Sequence, residues 1–135
     1  VSQSPEEVPF VSVVDDDPSV RRSLRSLLLS GGFRGKAFAS GAAFLAAPEL
    51  AETRCLILDL AMPEMSGPEL VCELRATRRL MPYVVLTASG VSDHATNQLT
   101  AGEAVAWLKK PASGSELLDS IRIAVTKDPR GRVGR

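Results

Sequence analysis

The run Cys55-Leu56-Ile57-Leu58 leads without a break into a single carboxylate, Asp59, and then into a loop carrying Pro63 and Gly67. An unbroken apolar run of this length, closed by turn residues, is a strand buried on both faces, the kind found in parallel sheets covered by helices on each side. Such a strand delivers its last residue to the edge of the sheet where open α/β folds bind ligands. Asp59 is therefore a candidate reactive residue. A lone Asp at a strand end more often only opens a loop, so its company at the other strand ends decides the matter.

Other segments repeat the pattern. Phe10–Val14 (FVSVV) is a second buried strand, followed by Asp15, Asp16, Asp17 and Pro18. Proline in a first turn after a carboxylate predicts a helix capped by Asp17. Val20, Leu24, Leu27 and Leu28 fall on one face of that helix, Arg21, Arg22 and Arg25 fall off it, and Gly31-Gly32 ends it. A short strand is expected over residues 33–38. Ser40 then caps a second helix, with Phe44 and Leu45, that fades before Pro48. After Asp59, Ser66 and Glu69 form a capping box with Pro68 in the first turn, and Leu70, Leu74 and Val71 give the third helix its apolar side. Tyr83–Thr87 is a buried strand ending in a hydroxyl. Ser92 and Asp93 open a fourth helix with few apolar anchors beyond Ala95 and Leu99, expected to be the least stable. A fifth strand over residues 105–108 runs into Lys109, Lys110 and Pro111. A second capping box, Ser113 and Glu116, starts a last helix with Leu117, Leu118, Ile121, Ala124 and Val125 inward.

Five strands alternating with five helices imply a doubly wound parallel sheet with right-handed crossovers. At 135 residues the chain holds one domain. Residues 1–9 are expected to be a flexible N-terminal segment, 10–126 the folded domain, and 127–135, rich in Arg and Gly, a linker or tail. The formal net charge of zero gives no global drive toward nucleic acid or anionic membrane. No apolar run reaches the roughly 18 residues of a membrane span. Cys55 and Cys72 have no metal or redox spacing and read as small buried apolar residues, and a reducing cytoplasm is the expected location.

In a parallel sheet the carboxyl ends of all strands share one edge. Asp15 and Asp16 follow the first strand, Asp59 ends the third, Thr87 the fourth, and Lys110 follows the fifth. With strand order 2-1-3-4-5, the first and third strands flank the switch point where a ligand is expected. Three crowded carboxylates repel unless a cation joins them. Oxygen ligands suit a hard divalent ion, Mg²⁺ beside phosphate. A lysine and a hydroxyl on the same edge complement a phosphoryl group. A carboxylate attacking phosphorus gives an acyl phosphate. No glycine-rich phosphate loop is present, which argues against a bound nucleotide.

Through VVDDDPSVR, LILDLAMPEMSGPEL, VVLTA and WLKKP the chain resembles the receiver domains of bacterial two-component response regulators, of the CheY-like superfamily and its FixJ-like subgroup. The resemblance covers about residues 10–125. It implies a flavodoxin-like fold of five parallel strands, order 2-1-3-4-5, flanked by five helices. It makes Asp59 the phospho-acceptor, and Asp16 and Asp15 Mg²⁺ ligands together with Asp59 and the backbone carbonyl of Ala61. Thr87 and Lys110 would contact phosphoryl oxygens, and the Lys110–Pro111 bond would be cis. Trp107 stands at the position of the family's switch aromatic. The implied partners are a sensor histidine kinase and a second, phosphorylated copy, with DNA reached only through a missing output domain. The chain is then not an enzyme in the ordinary sense, and the receiver is read as excised from a longer regulator. The alternative from another class is a degenerate receiver, an interaction module that takes no phosphate. Two departures stand out. The GEAVA segment carries one residue more than the family pattern, and Ala61 and Ser89, which flank the phosphate position, are both small. The latter predicts access for water and moderately fast self-hydrolysis. His94, the only histidine, reads as a solvated surface residue.

Overall fold

The computed structural model describes residues 8–88 and 103–127. Five strands form one parallel sheet: β1 (Phe10–Val14), β2 (Arg34–Phe38), β3 (Thr53–Asp59), β4 (Tyr83–Thr87) and β5 (Ala106–Lys109). Their spatial order is β2-β1-β3-β4-β5, the arrangement expected from the alternation of segments. The described helices are α1 (Pro18–Ser30), α2 (Gly41–Ala46), α3 (Gly67–Ala76) and α4 (Gly114–Lys127), with a 3₁₀ turn at Pro48–Glu52. The helix expected near residues 92–101, Ser89, His94 and the 128–135 tail lie outside the described residues.

Side chains of a strand alternate between its two faces, and this sorts the core into two layers. Cys55 and Ile57 of β3 join Val11, Val13, Leu24, Leu28, Leu117 and Ile121 on the side of α1 and α4. Leu56 and Leu58 join Val14, Phe44, Leu70, Leu74 and Val85 on the side of α2 and α3. An unbroken apolar run is what a strand needs when helices cover both faces. The edge strand β2 is polar by comparison, and its Arg34 and Lys36 pair with Glu52 and Glu49 at 3.2 and 3.4 Å, charges that blunt an open edge.

The helix signals act where the sequence puts them. The Asp17 carboxylate accepts from the Ser19 amide and caps α1; Ser40 caps α2 through the Ala43 amide. Both halves of the Ser66–Glu69 capping box are formed. At the last helix only one half is present, the Glu116 amide donating to Ser113 Oγ at 3.1 Å. The chain leaves α1 through Gly32, at φ +84°. Three strands start or end one or two residues from the expected limits, and the 3₁₀ turn was not foreseen. One expectation fails: Cys55 is buried, but Cys72 is exposed. Leu70, Val71 and Leu74 are the buried side of α3, and Cys72 lies across the helix from the Leu70–Leu74 row.

Candidate functional site

The register of the sheet decides which strand-end residues meet. Asp15 continues the Val11–Val13 row, Asp59 the Cys55–Ile57 row and Lys110 the row of Leu108, so all three lean to the α1 and α4 side. Asp15, Asp16 and Asp59 bring carboxylate oxygens within 4.8 Å of one another, a group able to hold a metal ion. Asp15 is 1% exposed and Asp59 6%, whereas Asp16 stands at the solvent mouth.

Lys110 reaches into this group, its Nζ lying 2.8 Å from Asp15 Oδ2 and 3.4 Å from Asp59 Oδ2. Its backbone amide donates to the Thr87 carbonyl at 2.8 Å, and the Lys110–Pro111 peptide bond is cis. Lys109, one residue earlier, is exposed. Asp15 is held from several sides. Its amide donates to the Phe38 carbonyl at 3.1 Å, and its Oδ1 accepts from the Asp17 amide at 2.9 Å. The Arg21 guanidinium donates to its carbonyl at 2.9 Å.

Burial pushes the Asp59 carboxyl up, the neighbouring Asp15 charge adds to this, and Lys110 opposes it, leaving Asp59 at about 6. Burial works against the charge of Lys110, but its contacts with Asp15 and Asp59 outweigh burial and raise its pKa. The loop after Asp59 turns back at once. The Ala61 amide donates to Asp59 Oδ1 at 3.3 Å, Glu64 takes a left-handed φ of 71°, and the Gly67 amide returns to the Leu60 carbonyl at 2.9 Å. A Cβ on Gly67 would stand 2.6 Å from the Asp59 carbonyl oxygen, so only glycine admits this approach.

Thr87 is placed differently. It continues the Tyr83–Val85 row on the other face, and its hydroxyl donates to the Ala88 carbonyl at 3.2 Å rather than to a carboxylate. Trp107 is in register with Val85, and Thr87 with Lys109, so Thr87 and Trp107 share that face. Trp107 is 40% exposed.

Two polar clusters are not legible in the sequence. Arg21 falls off the apolar face of α1 with Arg22 and Arg25, and only the fold brings its guanidinium to the Asp15 carbonyl. At the amino end of β4 the buried Tyr83 hydroxyl donates to Glu103 Oε1 at 2.7 Å, and Arg75 pairs with the same oxygen. Burial, and then its bond to Glu103, hold the Tyr83 phenol well above its usual range. Glu103 belongs to the GEAVA segment, which the sequence alone marks as unusual.

A doubly wound parallel sheet with an acidic, lysine-bridged crevice at the switch point between β1 and β3 defines the class of this domain. A family model described as the response regulator receiver domain matches residues 11–122, and the chain belongs to that family. It is 34% identical over 139 residues to the transcriptional regulatory protein FixJ of Azorhizobium caulinodans, covering 97% of this chain and 65% of that one. It is 34% identical over 122 residues to the response regulator TodT of Pseudomonas putida, covering 90% of this chain and 53% of that one. The chain thus spans between about half and two thirds of the length of these relatives. Among solved structures it matches FixJ-N with a TM-score of 0.77 at 36% identity, covering 88% of this chain and 94% of that one. It matches the response regulator StyR with a TM-score of 0.79 at 38% identity, covering 93% and 63%.

Proposed function

We propose that the domain is a phosphorylation switch whose acceptor is Asp59. The observation that carries this reading is the meeting of Asp15, Asp16 and Asp59 within 4.8 Å, with Lys110 at 2.8 Å from Asp15 and 3.4 Å from Asp59. The phosphodonor is the phosphohistidine of a sensor kinase. An Asp59 oxygen attacks phosphorus, the P–N bond breaks, and its electron pair stays on the leaving imidazole, which takes up a proton. The product on Asp59 is an acyl phosphate. Positioning and charge neutralisation are the domain's contribution.

The donor set is all oxygen and its negative charge exceeds what Lys110 offsets, which fits a hard divalent ion. Asp15, Asp16, Asp59 and the Ala61 carbonyl would hold Mg²⁺, which supplies charge neutralisation beside the phosphoryl oxygens. Lys110 is already in the crevice and pairs with one phosphoryl oxygen. Thr87, at the adjoining strand end, turns its hydroxyl from Ala88 to another. Trp107, on the same face as Thr87, is the switch aromatic that follows it, moving the balance between two states. Ala61 is small and exposed, which supports access of water and moderately fast loss of the phosphoryl group.

The kinase docks along α1. A cavity of about 210 Å³ there, beside Lys110, Pro111 and Leu117, adjoins the crevice. We take the receiver as residues 10–126, with 1–9 before it and a linker or tail at 127–135. Its setting is the cytoplasm, its active form a homodimer, and its output a DNA-binding domain reached through the linker. No described helix is long and apolar enough to cross a membrane.

The test is the fluorescence of Trp107, the only tryptophan, during addition of Mg²⁺ and then beryllofluoride, paired with mass spectrometry after acetyl phosphate. Two successive fluorescence changes and one added phosphoryl group, all lost in Asp59→Asn, are expected. A folded wild-type chain that gains no phosphoryl mass would instead be a degenerate interaction module.

A further inference from the structure

We propose that Arg21 is a positioning residue for the acidic crevice, fixing the peptide plane that aims Asp16. The inference rests on the reading of Asp16 as a metal ligand and goes one layer beneath it. Among the described residues the Asp16 side chain has no hydrogen bond or ion pair, in contrast to Asp15, which is bonded through both carboxylate oxygens. Among the described residues, then, only its backbone orients Asp16. The Asp15 carbonyl and the Asp16 amide belong to one rigid plane. Arg21 Nη1 donates to that carbonyl at 2.9 Å, from a half-buried position one turn into α1.

The rest of the connection is rigid. The Arg21 amide donates to the Asp17 carbonyl at 3.0 Å, within the helix that Asp17 caps. The Asp17 amide in turn bonds Asp15 Oδ1. Residues 15–17 are thus tied to the first turn of α1 through Ser19 and Arg21, and the Arg21 side-chain contact is the one that reaches the plane before Asp16. Arg22 and Arg25 carry the same charge on the same helix but are exposed, and among the described residues neither bonds to the crevice. They serve as controls for charge alone. Groups that orient metal ligands from behind commonly change metal affinity by about tenfold or more when removed.

The experiment measures the backbone order parameter of Asp16 by NMR without metal, and then Mg²⁺ affinity by calorimetry with the metal alone. Arg21→Met keeps the apolar stem, and with it the packing, while removing the donors. The Asp16 order parameter is expected to fall from about 0.85 to below about 0.6, and Mg²⁺ binding to weaken by about tenfold. Arg21→Lys, which keeps a donor of nearly the same reach, should recover most of both losses. Arg22→Ala and Arg25→Ala should change affinity by less than about twofold. An unchanged Asp16 order parameter in Arg21→Met overturns the proposal. So does an equal effect in Arg22→Ala, or a drop in thermal stability with Mg²⁺ affinity unchanged. A wild-type chain that binds no Mg²⁺ would sink the metal reading, while the order parameter still judges the role of Arg21.

Discussion

Replacing Asp59 by Asn should make the protein more stable, by an amount that depends on pH. Asp59 is 6% exposed, and burial with the adjacent Asp15 charge raises its pKa from 3.8 to about 6. At about 1.4 kcal/mol per pH unit this corresponds to about 3 kcal/mol, or 2 to 3 kcal/mol once solvent at the crevice mouth is allowed for. The sign follows from proton uptake. Below 3.8 the carboxyl is protonated in both states and the folded state suffers no penalty. As pH rises toward 6 the unfolded chain ionises while the folded chain retains its proton, so stability falls. Above about 6 the full loss is reached. Asparagine stands in for the neutral acid and removes the loss. In urea titrations with EDTA at pH 7.5, Asp59→Asn should unfold at a midpoint about 1 to 2 M higher than wild type. At pH 5 the wild type should regain about half of the difference, and the gap should narrow accordingly. An Asn variant no more stable than wild type at pH 7.5 would refute the reasoning. A gap of equal size at both pH values would refute it too.

Three further outcomes are expected. Gly67→Ala should cost about 1–3 kcal/mol by overpacking and lower acceptance of phosphate from acetyl phosphate, because its Cβ meets backbone atoms of Asp59 and Leu60; denaturant midpoints and phosphoryl mass read the two effects. Cys72 is exposed and Cys55 buried, so a thiol reagent should label one cysteine in the native chain and two after denaturation, with peptide mapping placing the first label on Cys72. Glu103→Ala should destabilise by about 1–3 kcal/mol by leaving the buried Tyr83 hydroxyl without its acceptor, and adding Tyr83→Phe should recover part of that loss in the same unfolding assay.

The parts of this molecule legible in the sequence are those written in local pattern. Apolar runs such as Cys55–Leu58 announce strands covered on both sides. Asp17, Ser40 and the Ser66–Glu69 pair announce helix starts because capping is a contact between near neighbours. Once the strands are ordered, their last residues necessarily gather at one edge, which is why Asp15, Asp16, Asp59 and Lys110 fall together. The orientation of Thr87 needed the register: its row belongs to the face of Tyr83 and Val85, away from the carboxylates. Tyr83, Arg75 and Glu103 meet across 20 and 28 residues of chain, a distance no periodicity spans. Arg21 hid for another reason. It lies off the apolar face of α1, as a solvated arginine would, and only the fold shows its guanidinium turned back to the Asp15 carbonyl. Cys72 was misread although its helical spacing from Leu70 and Leu74 held the answer.

The contact of Glu103 with Tyr83 and Arg75 also has a mechanical meaning. Together with the Val105 amide, which donates to the Tyr83 carbonyl at 2.8 Å, it clamps the entry to β5 at the end remote from the crevice. β5 is held at its root by this clamp and along its length by its pairing with β4, so it turns with the sheet edge as a lever carrying Lys110 at its tip. At about 3.3 Å per residue, Lys110 stands about 16 Å from Val105. A swing of about 5° about the root displaces the tip by about 1.4 Å, enough to open the 2.8 Å contact between Lys110 and Asp15. A small angular change in an edge strand can thus be converted into making or breaking an ion pair, and loosening the root would blunt that conversion without touching the crevice itself.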